Sequence, residues 1–125
     1  MGNVSFNLSW PSKDLSSNSR VHWSRRSGAV KAYRAEAWAM AMQSGANGDL
    51  IRFEYHPPDM RRRDAQNMPH MLKAAIDGMA DAMGRDDSNF ECAFPSKFST
   101  VIPGGRVVVT VTPNIVNVPI IGTIS

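Results

Sequence analysis

A chain of 125 residues is long enough for one domain with a modest core. With 42% hydrophobic and 20% charged residues it reads as globular, and no apolar run approaches the ~20 residues of a membrane span. The net charge of +3 and pI near 9.4 fit a nucleic-acid partner without requiring one, while the single Cys92 excludes a disulfide framework and a Cys-cluster zinc site. One cysteine and a polar N-terminus predict a reducing compartment and no signal peptide, hence a cytoplasmic protein.

Residues 4–10 alternate, with Val4, Phe6, Leu8 and Trp10 on one side and Ser5, Asn7 and Ser9 on the other, which predicts a half-buried strand ended by Pro11. Between Lys13 and Arg34 lie six cations (Lys13, Arg20, Arg25, Arg26, Lys31, Arg34) against Asp14 alone, with His22 and Trp23 among them. Such a run is either a solvated loop or a phosphate-contacting arm with a ring available for stacking. A helix is predicted over 27–43, where Val30, Tyr33, Ala37 and Met40 or Ala41 recur at helical spacing before Gly45. Ile51, Phe53 and Tyr55 predict a second strand over 50–56, stopped by Pro57 and Pro58.

A helix over 67–83 follows, its apolar stripe being Met68, Met71, Leu72, Ala75, Ile76, Met79, Ala82 and Met83. Asn67 is the candidate N-cap and Gly84 the candidate C-cap. The opposite ridge carries Gln66, His70, Lys73 and Asp77, and the last two are spaced to pair. Phe90, Cys92 and Phe94 alternate, as do Val107, Val109 and Val111, predicting strands over 88–94 and 105–112 around a Pro103-Gly104-Gly105 turn. The tail 113–125 is an added strand, a cover for a sheet edge or a loose end. The predicted class is α+β, a mixed sheet of four to five strands with two main helices in a single domain, 1–125.

Eight of the eleven carboxylates lie between Glu54 and Glu91, beside Arg61, Arg62 and Arg63. Cations that hold phosphates next to acids that hold a divalent metal are what a metal-dependent enzyme acting on a polyanion needs.

The order of these pieces resembles the RusA family of Holliday junction resolvases, small dimeric Mg²⁺-dependent endonucleases often borne by phages. The resemblance runs from Val4 to about Thr112. It rests on Trp10-Pro11-Ser12, on Ile51-Arg52-Phe53-Glu54 with His56, Pro58 and Asp59, and on Arg61-Arg62-Arg63-Asp64 followed by Asn67. Lys73-Ala74-Ala75 with Asp77, then Asp86-Asp87, then Gly104-Gly105-Arg106 complete the series. The family's box carries a second aspartate where this chain has Gln66, and a neutral amide is a weak ligand for a hard cation. The gap between Asn67 and Lys73 is also longer than in some members. Asp77 and Glu54 are the nearest spare carboxylates by pattern.

The resemblance implies an intertwined homodimer that cuts four-way DNA junctions by paired phosphodiester hydrolysis in recombination and repair. It implies Asp64, Lys73 and Asp87 as catalytic residues, Asp64, Asp86 and Asp87 as ligands of Mg²⁺ (or Mn²⁺), and Arg20, Arg25, Arg26, Arg61, Arg62, Arg63 and Lys73 as contacts to branched DNA. Recognition is expected to follow junction shape, because no major-groove reading helix is evident. Two other readings stand beside it: a branched-DNA-binding protein whose cleavage is lost through Gln66, and a small basic assembly or adaptor protein. An unbroken 17-residue helix over 67–83 would hold its ends about 25 Å apart. Unless the flanking segments fold back a long way, Asp64 and Asp87 would then meet only across a two-fold dimer, with Asp64 and Lys73 from one subunit and Asp86 or Asp87 from its mate.

Overall fold

The computed structural model describes residues 2–16, 20 and 22–113; apart from Pro113, the expected tail lies outside the described residues. Period-two apolar runs form four strands, β1 (Val4–Leu8), β2 (Leu50–His56), β3 (Glu91–Ala93) and β4 (Arg106–Thr112). They make one mixed sheet in the order β1-β4-β2-β3. β4 is antiparallel to both β1 and β2, and β3 is parallel to β2. Register pairs Ile51, Phe53 and Tyr55 with Val111, Val109 and Val107, and Phe6 and Leu8 with Val109 and Val107. All eight side chains are buried, because a one-residue slip would turn this apolar face to water. Three helices cover that face: α1 (Trp23–Ser44), α2 (Met68–Met71) and α3 (Lys73–Met83). Ser5, Asn7, Arg52 and Glu54 line the exposed face. The architecture is α+β, as expected.

Several boundaries differ from the sequence expectation, each for a visible reason. β1 ends at Leu8 because Ser9 leaves the ladder: its N–H and hydroxyl donate to the two Glu36 carboxylate oxygens, both at 2.6 Å, and its carbonyl accepts from the Tyr33 hydroxyl at 2.9 Å. Burial, then the Glu36 charge, pushes the Tyr33 phenol far up, which keeps it a neutral donor. α1 begins at Trp23 rather than residue 27 because His22 Nδ1 accepts from the Ser24 N–H at 3.1 Å, a capping role usually taken by Ser, Thr, Asp or Asn. β3 is only three residues long because Asp86 caps a 3-10 turn at Asp87–Asn89. Phe94 lies beyond the strand and stacks flat on Phe53, at 5.1 Å and 9°.

The expected helix over 67–83 is broken. A 3-10 turn at Ala65–Asn67 leads into α2, and Leu72, at φ −88° and ψ −4°, separates α2 from α3. Pro69, in the first turn of α2, lacks the N–H for an inward bond. Asn67 makes no capping bond; Asp64 Oδ1 instead accepts from the Gln66 N–H at 2.9 Å. The apolar stripe survives because Leu72 N–H still reaches Met68 O and Ile76 N–H still reaches Leu72 O, each at 2.9 Å. Gly45 and Gly84 end α1 and α3 in the left-handed region, at φ 73° and 64°, as expected. α3 also buries Ala74 and Gly78. At Gly78 the two long helices come so close that a Cβ would run into the Arg34 carbonyl oxygen of α1. Arg34 Nη2 pairs with Asp81 Oδ2 at 2.6 Å beside that crossing.

Candidate functional site

Two groups of charged side chains emerge from this frame. The first forms where Gly84 reverses the chain after α3. Asp86 Oδ1 accepts from the Ser88 N–H at 3.0 Å, and the resulting turn returns Asp87 to the start of the helix. There Lys73 Nζ donates to Asp77 Oδ1, one turn along, and to Asp87 Oδ2, each at 2.8 Å. The hydrogen bond from the Lys73 ammonium, and then its charge, hold the Asp87 carboxyl below its usual range. Hydrogen bonds to Asp77 first and Asp87 second hold the Lys73 ammonium above its own. The contact is therefore intact at neutral pH, lost on the acid side only as pH falls through the lowered Asp87 value, and lost on the basic side only as pH rises through the raised Lys73 value. In a ¹³C NMR titration the Asp87 carboxyl is expected to titrate below a free aspartate and to move back up in Lys73→Met. An unshifted Asp87 in the wild type would contradict this geometry.

The second group is the loop after β2. Arg63 turns inward: Nη1 donates to the Asp59 and Arg61 carbonyls, each at 3.1 Å, and Nη2 pairs with Asp59 Oδ1 at 2.9 Å. Its guanidinium lies 5.7 Å from the centre of the Trp10 ring. The Arg61 N–H first, and then Arg63, hold the Asp59 carboxyl below its ordinary range. Arg61 and Arg62 face solvent. A cavity of about 480 Å³ opens here, lined by Trp10, Lys13, Arg61, Arg63, Asp64 and Phe98 among others.

The residues singled out in the sequence are thus distributed between two places. Asp64 lines the Trp10 cavity, whereas Asp86 and Asp87, with Asp77, line a second cavity of about 230 Å³. The structure brings Lys73 to Asp87 within one chain, so the acid after α3 does fold back, contrary to the picture of a straight helix holding it away. It does not bring Asp64 to Asp86 and Asp87. Among the described residues, no three His, Cys, Asp or Glu side chains are placed to hold a metal ion together. The expected trio Asp64, Asp86 and Asp87 therefore does not fit as a ligand set within one chain. The pair Asp77 and Asp87 does fit the chemistry of Mg²⁺: both carboxylates already face one cation, the Lys73 ammonium, and Mg²⁺ is commonly held by one or two carboxylates plus water and substrate phosphate. Of the basic arm, Arg25 Nη2 pairs with Asp14 at 3.4 Å and Arg26 Nη2 donates to the Ser16 carbonyl at 2.9 Å, tying the loop to α1; Arg20 is exposed.

No protein-family model matches the chain. An uncharacterized protein of Xylella fastidiosa is 42% identical to it over an alignment covering 86% of this chain and 75% of the relative. The chain belongs to the family of that protein.

In this member of the family, several structural partners carried no sequence signal. Nothing in spacing marks Glu36 as the clamp on Ser9, or Phe98 as a neighbour of Trp10, whose ring centre lies 6.2 Å away. His56 is buried, with Nε2 2.8 Å from Glu54 Oε2 and Nδ1 2.8 Å from the Thr100 carbonyl oxygen. It fastens the end of β2 to the segment before β4. Asp77 did carry a signal, its i, i+4 spacing from Lys73. No helix among the described residues is long and apolar enough to cross a membrane.

Proposed function

We propose that the chain is a metal-dependent endonuclease of branched DNA, acting as a homodimer on four-way junctions. The observation that carries this reading is the convergence of Asp77 and Asp87 on Lys73. The exposed Arg61 and Arg62, on the other group, would meet the DNA backbone. Asp77 stands in for the acid that Gln66 does not supply. With its carboxyl held low, Asp87 is an anion at neutral pH and is in its ligand form. Lys73, with its ammonium held high, is a point charge rather than a base, and suits a scissile phosphate or a leaving oxygen. A divalent cation held by the acid pair would supply Lewis-acid polarisation and a water of lowered pKa. Arg61 and Arg62 would follow the DNA backbone without reading sequence. The dimer enters because Asp64 and Asp87 line different cavities of one chain. A two-fold mate would offer its Asp64 to this cluster and create two equivalent sites for paired nicks. The same separation favours a second reading, junction binding without cleavage.

The deciding experiment incubates the protein with a synthetic four-way junction, with and without Mg²⁺, beside a linear duplex of the same length. Paired nicks in the junction, dependent on Mg²⁺, are expected. Tight binding with no cut selects the second reading, and equal affinity for junction and duplex overturns both. Affinity is expected to fall with salt at a log–log slope of roughly −3 to −4 if about four phosphates are neutralised, and Arg61→Glu is expected to flatten it. A salt-independent affinity would instead favour a small adaptor protein.

A further inference from the structure

The acid cluster accounts for chemistry on a phosphate, but the cavity beside Trp10 has a different make-up. Its lining is apolar and aromatic at Trp10, Phe98 and Met68, the exposed Lys13 and Arg61 make a cationic rim, the inward-turned Arg63 adds a third cation, and Asp64 is the one acid among the lining residues. At about 480 Å³ it falls within the ~300–1,000 Å³ typical of small-molecule sites. The Trp10 ring is already fixed. Gly105 leaves no room for a Cβ beside it, since one would lie 2.7 Å from Trp10 Cβ, while Phe98 and the Arg63 guanidinium lie 6.2 and 5.7 Å from its ring. A ring held in place with a guanidinium over one face is a stacking surface formed before any ligand arrives, the base taking the other face. Arg61, whose side chain is 77% exposed, reaches over the rim with only a 3.8 Å approach to Asp59. A single base with its phosphate matches both lining chemistries.

We infer that this cavity receives one unpaired nucleotide of DNA, its base against Trp10 and Phe98 and its phosphate on Arg61 and Lys13. This rests on the nucleic-acid part of the proposed function. It adds to it a site that would recognise a nucleotide left without a partner where strands exchange. Base stacking accounts for the selectivity, and the cationic rim for the salt-sensitive affinity.

The test uses fluorescence anisotropy at low salt without metal. The labelled probes are a pentamer of thymidine nucleotides, a pentamer of abasic sugar-phosphates, and a short duplex. The thymidine pentamer is expected to bind about tenfold or more tighter than the abasic one. Trp10→Ala should erase that preference, and Arg61→Ala should weaken both pentamers alike. The comparison of the two pentamers on the wild-type protein needs no variant, so a misfolded Trp10→Ala would not rescue the idea. Equal affinity for the two pentamers overturns the inference. If junctions are still cut, the proposed function survives that result; if no DNA binds at all, both are overturned. A preference for bases that persists in a folded Trp10→Ala would also overturn it, because the base would be stacking elsewhere.

Discussion

Asp87→Asn is expected to lower junction cleavage on the order of 10²–10³-fold while leaving junction affinity nearly unchanged. The amide keeps the shape of the side chain but removes one of the two charges converging on Lys73. Lys73 retains Asp77, and the Lys73–Asp87 contact is largely solvent-exposed, so the melting temperature should barely move. Single-turnover cleavage rates in Mg²⁺, read beside a gel shift, separate the two effects; a wild-type rate would remove Asp87 from the chemistry. The same variant tests the dimer. If Asp64→Asn and Asp87→Asn proteins exchange subunits, a site shared across the two-fold axis restores one intact centre in the mixed dimer and nicks one strand. No recovery after confirmed exchange would place each centre within one chain.

Gly78→Ala is expected to destabilise the fold by about 2 kcal/mol, a fall in Tm of about 8 °C. The new methyl would meet backbone rather than a movable side chain: the Arg34 carbonyl oxygen, then the Arg34 carbonyl carbon at 3.0 Å and Trp38 N at 3.2 Å. α1 and α3 would have to part, drawing Arg34 away from Asp81. Gly28→Ala is the control. It lies in α1 with nothing within 4 Å of a Cβ, so the gain in helix propensity stands alone and adds up to ~1 kcal/mol of stability. Thermal unfolding followed by circular dichroism reads both. If Gly78→Ala were as stable as Gly28→Ala, the close crossing of α1 and α3 would be wrong.

The sheet was largely legible in the chain because a period of two, with one face buried, leaves little freedom: Ile51, Phe53 and Tyr55 against Val107, Val109 and Val111 could pair usefully in few registers. Gly45 and Gly84 were equally plain, since helix ends favour glycine in the left-handed region. His22 was hidden because an imidazole is an uncommon cap. The break at Leu72 was hidden because the hydrophobic stripe continues through it. Both halves of the candidate site were visible as residue types but not as neighbours. Lys73 and Asp77 meet through helix geometry, which spacing encodes. Asp87 meets Lys73 only after a turn that doubles the chain back over 14 residues, which spacing does not. The separation of Asp64 from Asp87 follows from the same limit: closeness in a list of motifs says nothing about which side of a helix each one reaches.

The position of β4 has a consequence for how the chain acquires its shape. It is the last described strand to be synthesised, yet it lies between β1 and β2, and it pairs Val4 with Val111 and Ile51 with Val111. Until Thr112 has left the ribosome, β1 has no neighbour in the sheet, and the Phe6, Leu8, Phe53 and Tyr55 faces wait without their valine partners. Contacts so remote along the chain close slowly, and a waiting apolar face invites association with other nascent chains. The packing of α1 on α3 and the parallel β2–β3 pair use only residues already made, and are the natural early scaffold. Insertion of β4 is then the closing event, and a chain cut short before Arg106 keeps the helices without the strand that joins the two halves of the sheet.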